Sequence, residues 1–343
     1  MKWFRILIFI TAGSIALGST AAVLMVPWCF PAPALAQQDS SGVDSLQPGA
    51  AEADSLKKEP GDSLEAAQQG ASTFPGNDTL AKTLSENRPL NKLDRVISNN
   101  AFRPGEKLTF TVRWKFIKAG EATMEVRDIV NLRDGVTAYH IVSTAHSAKF
   151  FDAFYRVRDQ VETFLDTRGI FSWKYNKRLR EGGYKFDLLV DYDQANGVAQ
   201  IERIRYESDE PLKVRNQEKF ELDIPEYVLD VLSAFYYVRT QELKIGEPIY
   251  MANHDNRQVY QLQVIIQRKE RVKVDAGTFD CIMVQPRLLG EAIFKQKGEL
   301  WVWLTDDEYK IPVQMKSAVA VGSITTELKK IEGVPNPIPA RVK

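Results

Sequence analysis

The chain has 343 residues, with 45 Lys and Arg side chains against 45 Asp and Glu, so its formal net charge at neutral pH is zero. Loss of Lys2 and Arg5 with an N-terminal leader removes two positive charges and leaves a net charge of −2. Such a balance gives no general attraction to phosphate backbones, and it argues against a nucleic-acid-binding protein.

Residues 1–36 have the pattern of a secretory signal peptide. Lys2 and Arg5 precede an apolar run over residues 6–26, and the Ala-Leu-Ala at 34–36 offers the small residues that a signal peptidase requires. We therefore predict that the chain is exported. An uncleaved inner-membrane anchor is the alternative, because the apolar run approaches the roughly 20 residues that span a bilayer.

The composition changes after the leader. Residues 37–100 are rich in Ser, Asp, Gln, Gly and Glu and contain few aromatic residues. Such a segment buries too little apolar area to offset the cost of ordering its backbone, roughly 1 to 2 kcal/mol per residue, so it is predicted to be a disordered tether. Residues 101–331 are dense in strand signals and predict a single β-rich domain, and residues 332–343 predict a flexible tail.

The strands are predicted from alternation of apolar and polar residues. In residues 107–116 the apolar positions are Leu108, Phe110, Val112, Trp114 and Phe116. A period of two places all five on one face of a strand, and that face must be covered. Asn196-Gly197 separates the alternating residues 184–192 from residues 198–206, which predicts a β-hairpin. Later candidate strands are 260–266, 279–284, 298–304, 311–315 and 323–328.

One helix is predicted within the run of strands. Residues 226–240 carry apolar side chains at helical spacing, which indicates one stripe facing the sheet. Glu226, Asp230, Ser233 and Tyr237 form a polar stripe at spacings of three or four. This stripe is interpreted as facing solvent, and a polar rim at the mouth of a cavity is the alternative.

Together these elements predict an all-β fold with one inserted helix, in which an antiparallel meander curls into a barrel or half-barrel. Curling or covering a sheet removes edges that would otherwise aggregate. Large barrels leave room for a ligand, whereas small ones are filled by their own side chains. An outer-membrane barrel is disfavoured because residues 226–240 interrupt the meander and residues 333–343 are Pro-rich.

The sequence contains no recognisable catalytic or metal-binding motif. It has no Gly-rich phosphate loop and no His-Glu-x-x-His, and its three histidines lack the spacing of zinc ligands. Cys29 lies in the leader, and Cys281 lies in a strand-like run where a buried core thiol is expected. We therefore expect no cofactor, no metal and no catalytic residue, and the chain is predicted not to be an enzyme.

Basic residues on two predicted strands are candidates for binding an anion. Arg156 and Arg158 share a face, and Arg178 and Arg180 align on a later strand. Facing a cavity, they would hold an anionic headgroup through bidentate hydrogen bonds. Facing outward, they would form cross-strand ion pairs worth roughly 1 kcal/mol or less each, which is the favoured interpretation. The basic run that includes Lys177 is likewise interpreted as a solvated strand face.

Seven short motifs occur in an order that resembles a known family. They are Phe102-Arg103-Pro104-Gly105-Glu106-Lys107-Leu108, Lys118-Ala119-Gly120, Val157-Arg158-Asp159, Arg180-Glu181-Gly182-Gly183-Tyr184, Asp230 to Arg239, Ala276-Gly277-Thr278-Phe279 and Trp301 to Pro312. Through them the region from about Ala101 to Leu328 resembles the exported bacterial family known as domain of unknown function 3108. The resemblance implies an all-β fold and a location in the periplasm or envelope of a Gram-negative bacterium, and it implies no established activity.

By architecture the predicted domain is also similar to periplasmic lipoprotein carriers, in which a curved sheet holds acyl chains. The predicted function is therefore binding or carriage of a hydrophobic or amphipathic envelope ligand, such as a lipid or an acyl chain, by a monomer in the periplasm. The candidate ligand-binding residues are Trp114, Arg158, Arg180, Tyr184, Asp230, Ser233 and Tyr237. The alternative is a non-enzymatic assembly or structural factor with an envelope protein partner, and an enzyme acting on cell-wall or lipid substrates is third.

Overall fold

The computed structural model describes residues 93–132, 135–208, 211–289, 299–319 and 322–342; the predicted leader and most of the predicted tether lie outside these residues. Within the described ranges the strands are β1 (Lys107–Trp114), β2 (Ile117–Asn131), β3 (Thr137–Ser147), β4 (Arg158–Asp166), β5 (Ser172–Glu181), β6 (Tyr184–Asp193), β7 (Val198–Tyr206), β8 (Val214–Asp223), β9 (Leu229–Asp230), β10 (Ile249–Asp255), β11 (Gln258–Val274), β12 (Gly277–Leu288), β13 (Leu300–Thr305), β14 (Pro312–Val319), β15 (Gly322–Glu332) and β16 (Arg341–Val342). The helices in the same ranges are α1 (Lys149–Asp152) and α2 (Val231–Thr240).

All of these strands belong to one sheet. Strands β1 to β8 form one antiparallel meander and β10 to β15 form another, and pairing of β1 with β15 joins the two. The short β9 adds to β10 in parallel, and β16 pairs with β12. The sheet order therefore ends at β8 on one side and at β9 on the other, so the sheet is open. The predicted all-β antiparallel meander, including the hairpin at Asn196-Gly197, is confirmed.

The sheet curls until β10 packs against the inner faces of β5 and β6. Lys177 of β5 forms an ion pair with Asp255 of β10, although β5 and β10 are ten places apart in the sheet order. Tyr192 of β6 is hydrogen-bonded to His254 of β10. Register shifts interrupt seven of the strand pairs. Such bulges bend a strand and increase its twist, which accounts for the curl.

Strand β1 shows how alternation locates the core. Leu108, Phe110 and Val112 are at most 2% exposed, as their shared face predicts. The alternation does not continue to Phe116, which was predicted to lie on the same buried face and is 83% exposed. The strand ends before Lys115, whose positive φ of 54° turns the chain into β2, so Phe116 lies in a turn.

Helix α2 begins five residues later than the sequence predicts, at Val231. The carboxylate of Asp230 caps it by accepting hydrogen bonds from two main-chain N–H groups of the first turn, both at 2.9 Å. Tyr227 has a φ of 55°, which a helix does not allow, and the main chain of Val228 is hydrogen-bonded to the side chain of Gln194. The residues before Asp230 therefore dock as non-helical chain against the β6–β7 turn.

Both ends of the packed region extend beyond the predicted limits of 101–331. The side chain of Arg95 donates to the main-chain oxygens of Gly169 and Ile170, at 2.7 and 2.8 Å. At the other end, residues 332–343 were predicted to be a flexible tail, but Ile338 is 4% exposed and β16 pairs with β12. One end is held by a single side chain and the other by a two-residue strand, and neither is long enough to produce a periodic sequence pattern.

A buried ion pair attaches α2 to the chain just before β1. Arg239 and Glu106 are at most 1% exposed, and two N–H···O bonds of 2.6 and 2.8 Å join their side chains. The guanidinium also donates to the main-chain oxygens of Ala101 and Tyr309. A buried pair of this kind stabilises a fold only as a complete set, since removal of one partner leaves an uncompensated charge.

Candidate functional site

A group of polar side chains lies on the interior face of the sheet, where β4, β5 and β6 meet β9, α2 and β10. Its members, called the interior polar cluster below, are Thr163, Ser172, Tyr175, Lys177, Tyr192, Asp230, Ser233, His254 and Asp255. None of them is more than 6% exposed. Burying a polar group is costly unless it is hydrogen-bonded, so the pattern of pairing decides what such a cluster can do.

Asp230 is the centre of one half of the cluster. Besides capping α2, its carboxylate accepts hydrogen bonds from the hydroxyls of Ser172, Thr163 and Ser233 at 2.6 to 2.7 Å. Burial raises the pKa of Asp230, and these hydrogen bonds oppose the shift. Asp230 and Ser233 are completely buried, so the prediction that they form part of a solvent-facing polar stripe is wrong, and so is the alternative of an exposed rim.

The other half of the cluster contains a buried ion pair. Lys177 Nζ lies 2.6 Å from Asp255 Oδ1, with side-chain exposures of 0% and 5%. Burial raises the pKa of Asp255, and Lys177 opposes the shift. The interpretation of Lys177 as part of a solvated strand face is therefore wrong. Alternation was the available signal, because Lys177 shares its face with the buried side chains of Tyr175 and Leu179.

Three aromatic side chains complete the cluster. The hydroxyl of Tyr192 is hydrogen-bonded to His254 Nδ1 at 2.8 Å. Burial and the neighbouring Lys177 lower the pKa of His254 to about 3, so its imidazole is neutral at physiological pH. Burial also raises the pKa of the Tyr175 phenol, and this hydroxyl has no hydrogen-bond partner among the described residues.

The arrangement is a network of hydrogen-bonding groups centred on two buried carboxylates. The hydroxyls of Ser172 and Ser233 bond to Asp230, whereas His254 bonds to Tyr192, so the order of contacts in a Ser-His-Asp triad is not reproduced here. In the described parts of the chain, no group of three His, Cys, Asp or Glu side chains is placed to hold a metal ion. Neither of the two described helices combines the length and the apolar character needed to cross a membrane.

The structure brings together only two of the seven predicted ligand-binding residues. Asp230 and Ser233 are both in the interior polar cluster, where their side chains are 2.7 Å apart. Tyr237 lies one helical turn further along α2, half-buried, with its ring centroid 5.5 Å from the guanidinium of Arg95. Its contact is thus with the chain that precedes β1.

The remaining four predicted residues make contacts outside the cluster. Arg158, with a side chain 40% exposed, pairs with Asp152 at 2.6 Å, and Arg180 pairs with Asp187 at 2.6 Å. The ring of Tyr184 lies 4.0 Å from the guanidinium of Arg205, and the ring of Trp114 lies 5.7 Å from Lys115 Nζ. Both arginines thus form ion pairs, as the favoured interpretation of the sequence predicts. None of these contacts joins the four residues to the interior polar cluster, so the contacts do not support their predicted role in ligand binding.

The comparison with known families agrees with the motifs. Residues 109–329 match the model of a family described as protein of unknown function DUF3108. The chain belongs to this family. The DUF3108 match begins within β1 and ends within β15, and it includes every member of the interior polar cluster. The sequence matches none of the curated proteins.

Solved structures offer distant similarities to this DUF3108 chain. A β-barrel-like protein of domain of unknown function DUF1849 from Brucella abortus has 9% identity and a TM-score of 0.44, covering 69% of this chain and 98% of that one. A Bacteroides fragilis protein described as exported, with a YmcC-like fold, has 10% identity and a TM-score of 0.29, covering 69% and 99%. A Parabacteroides distasonis protein described as a lipoprotein has 10% identity and a TM-score of 0.30, covering 69% and 99%. None of these descriptions names a ligand or a reaction.

Proposed function

We propose that this protein is an exported, non-catalytic binding or carrier protein, which acts in the periplasm as a monomer on an amphipathic envelope ligand with an acyl chain. The observation that carries the proposal is the Tyr175 hydroxyl, which is buried on the interior face of a curled sheet and has no partner among the described residues. Binding sites combine apolar walls with a few convergent polar groups that fix the orientation of the ligand.

The polar end of such a ligand is expected to be neutral. Lys177 already pairs with Asp255, and Arg158 and Arg180 pair with other carboxylates, so an anionic headgroup would have to displace an existing ion pair. A hydroxyl or amide group, in contrast, matches the unpaired phenol of Tyr175. An anionic headgroup bound by the arginines, which the sequence left open as an alternative, is therefore not part of the proposal.

The apolar part of the ligand would supply most of the affinity. Interior side chains on both sides of the cluster are apolar, including Val161, Leu165, Leu179, Leu188 and Val190, each at most 3% exposed. Burial of one methylene contributes about 0.8 kcal/mol, so an acyl chain of about ten methylenes would contribute about 8 kcal/mol, which corresponds to a Kd of about 1 μM. A ligand of that affinity remains bound while the protein concentration stays well above about 1 μM.

Native mass spectrometry of the exported full chain, purified without detergent, tests the proposal. We expect a monomer with an additional mass that is released on unfolding and identified by lipid extraction. Replacement Tyr175→Phe removes one hydrogen bond to the ligand, worth about 1 kcal/mol, and should lower its occupancy in competition about fivefold. Tyr250→Phe is the matched control, because Tyr250 is 54% exposed and lies at the start of β10.

Two results would count against the carrier. Repeated preparations at the bare polypeptide mass, which also fail to take up added monoacylglycerol, would show that the interior is filled by its own side chains. Recovery of one stoichiometric envelope protein by crosslinking, together with that bare mass, would favour the assembly factor instead.

A further inference from the structure

One end of the sheet exposes aromatic side chains. The connections β1–β2, β3–β4, β5–β6 and β7–β8 all lie at this end, called the distal end below, because successive antiparallel strands reverse direction. Phe116 in the first connection is 83% exposed, and Phe150 and Phe154 in the second are 70% and 74% exposed. Large aromatic side chains are normally buried, so three at one end call for a physical explanation.

The two connections that carry these rings are neighbours. The β3–β4 connection begins with Ala148, whose main-chain N–H donates to the oxygen of Ala119 in β2 at 2.8 Å. Gly120 of β2 pairs with Ser147 of β3, so the start of β2 and the end of β3 lie side by side. The rings of Phe150 and Phe154 are themselves 5.6 Å apart. The distal end thus presents a local apolar surface rather than scattered single residues.

Exposure of large apolar residues is concentrated at this end. Ten large hydrophobic side chains are exposed within the described ranges, and six of them lie on distal connections or at the strand ends beside them. The six are Phe116, Ile117, Phe150, Phe154, Leu212 and Val214. A surface patch of this composition is typical of contact with a membrane or another protein.

Basic residues surround the exposed rings. Lys115, Lys118, Lys149, Arg156 and Arg158 are all exposed in or beside the two neighbouring connections. Lys118 pairs with a carboxylate of β2, and Arg158 pairs with one in α1. Lys115, Lys149 and Arg156 form no salt bridge with another described residue, although the charge of Arg156 acts on the carboxylate of Asp152. The surface therefore carries excess positive charge although the whole chain is neutral.

We propose that the distal end docks on the surface of an anionic lipid bilayer, with Phe116, Phe150 and Phe154 inserted at the boundary between headgroups and acyl chains. Aromatic side chains favour that boundary, and Lys and Arg beside them bind lipid phosphates. Each basic residue near an anionic membrane strengthens binding by roughly fivefold. The proposal does not depend on a ligand in the interior, so it stands or fails separately from the carrier function.

A site-specific fluorescent label tests the proposal in the full chain. Ala153, which is exposed between Phe150 and Phe154, is replaced by cysteine and labelled with the environment-sensitive dye NBD, in a chain that carries Cys29→Ser. Cys281 stays unlabelled because it is 1% exposed. The matched control carries the dye on Asn131→Cys, an exposed position at the opposite end of β2. The label reports insertion of one end even if the N-terminal apolar run also binds the vesicle.

Vesicles of phosphatidylglycerol and phosphatidylethanolamine should shift the emission of the dye at position 153 to shorter wavelength and leave position 131 unchanged. Phe150→Ser with Phe154→Ser should abolish the shift. Combined Lys115→Glu, Lys149→Glu and Arg156→Glu should weaken vesicle partition by on the order of 100-fold, and phosphatidylcholine vesicles should bind correspondingly less. Far-ultraviolet circular dichroism identical to the parent shows that each variant is folded.

Three results would overturn the proposal. In the first, the emission of the dye at position 153 would not respond to the vesicles. In the second, dyes at positions 153 and 131 would respond equally. In the third, the serine and glutamate variants would behave like the parent. Emission already at short wavelength before vesicles are added, and unchanged by them, would show that protein covers the surface. That protein would be a second copy or another segment of this chain, and membrane docking would be wrong.

Discussion

Asp159 is expected to make the stability of the domain fall as the pH rises. Its side chain lies on the interior face of β4 and is 3% exposed. One carboxyl oxygen accepts a hydrogen bond from the main-chain N–H of Arg180 at 2.7 Å, and the other has no partner among the described residues. The guanidinium of Arg180 bonds to Asp187 instead, so the buried carboxyl has no directly bonded cation within the described chain.

The magnitude follows from the pKa. Burial raises the pKa of Asp159 from 3.8 to about 7, against the smaller opposing effect of Arg180. The folded protein therefore holds this proton more tightly than the unfolded chain does. The resulting stabilisation is complete below about pH 4, declines as the pH rises, and is lost above about pH 7. A difference of about three pKa units corresponds to on the order of 4 kcal/mol.

Asp159→Asn removes the ionisation and keeps a hydrogen-bond acceptor for the N–H of Arg180. The variant should be more stable than the parent at pH 8, by up to about 4 kcal/mol, and similar to it at pH 4. Urea denaturation followed by tryptophan fluorescence at several pH values between these limits gives the free energy of unfolding of both proteins. Asp191→Asn is the control, because the side chain of Asp191 is 62% exposed.

The difference between parent and variant isolates Asp159, since all other titrating groups are common to both. If the free energies of unfolding of parent and variant run parallel from pH 4 to pH 8, the Asp159 carboxyl does not titrate in this range and its pKa is not raised to about 7. A second outcome would also contradict the prediction. If Asp159→Asn is less stable than both the parent and Asp191→Asn at every pH, the Asp159 carboxyl is ionised in the folded protein and its charge is favourably bound.

Three further predictions concern stability and reactivity. Arg239→Met leaves its buried carboxylate partner uncompensated and should lower the free energy of unfolding by about 3–5 kcal/mol. Arg113→Met, at a partly exposed ion pair, is the control and should lower it by about 1 kcal/mol or less. Urea titrations measure both values, and equal losses would contradict the prediction. Cys281 is 1% exposed, and burial raises the pKa of its thiol to about 12. At pH 8 this thiol should therefore react with a maleimide only after addition of urea. Rapid labelling of the native chain would disprove its burial. Gly333 has a φ of +69°, and the Cβ of an alanine there would overlap the main-chain oxygen of Gly105. Gly333→Ala should therefore lower the free energy of unfolding by about 2–4 kcal/mol, more than Gly246→Ala, where a Cβ would meet open space. A smaller loss at Gly333 than at Gly246 would refute the clash.

The family and the fold class could be predicted from the sequence because both depend on local patterns. Alternation in residues 107–114 places one face of β1 in the core whatever its neighbours are, and Asn196-Gly197 favours a tight hairpin through its own backbone preferences. The same local reasoning locates Cys281 in the core. It fails at Phe116, where the strand ends two residues earlier than the alternation does.

The interior polar cluster could be predicted only in part. Asp230 and Ser233 were singled out by their helical spacing, but nothing local distinguishes a polar stripe in solvent from one that caps a buried helix against β4 and β5. Lys177 was assigned to solvent, although its alternation with Tyr175 pointed inward, because a buried lysine is costly without a partner. That partner is Asp255, 78 residues further along the chain.

The sequence by itself determined the all-β antiparallel class, the hairpin at Asn196-Gly197 and the family. The tertiary structure decided which polar groups meet, because the curl of the sheet is the sum of twist and bulges over many strands and brings β10 against β5 and β6. It also decided that Arg158 and Arg180 are ion-paired, and that Phe150 is exposed beside the β1–β2 turn. Periodicity assigns a side chain to a face, but contacts between distant strands depend on the geometry of the whole sheet.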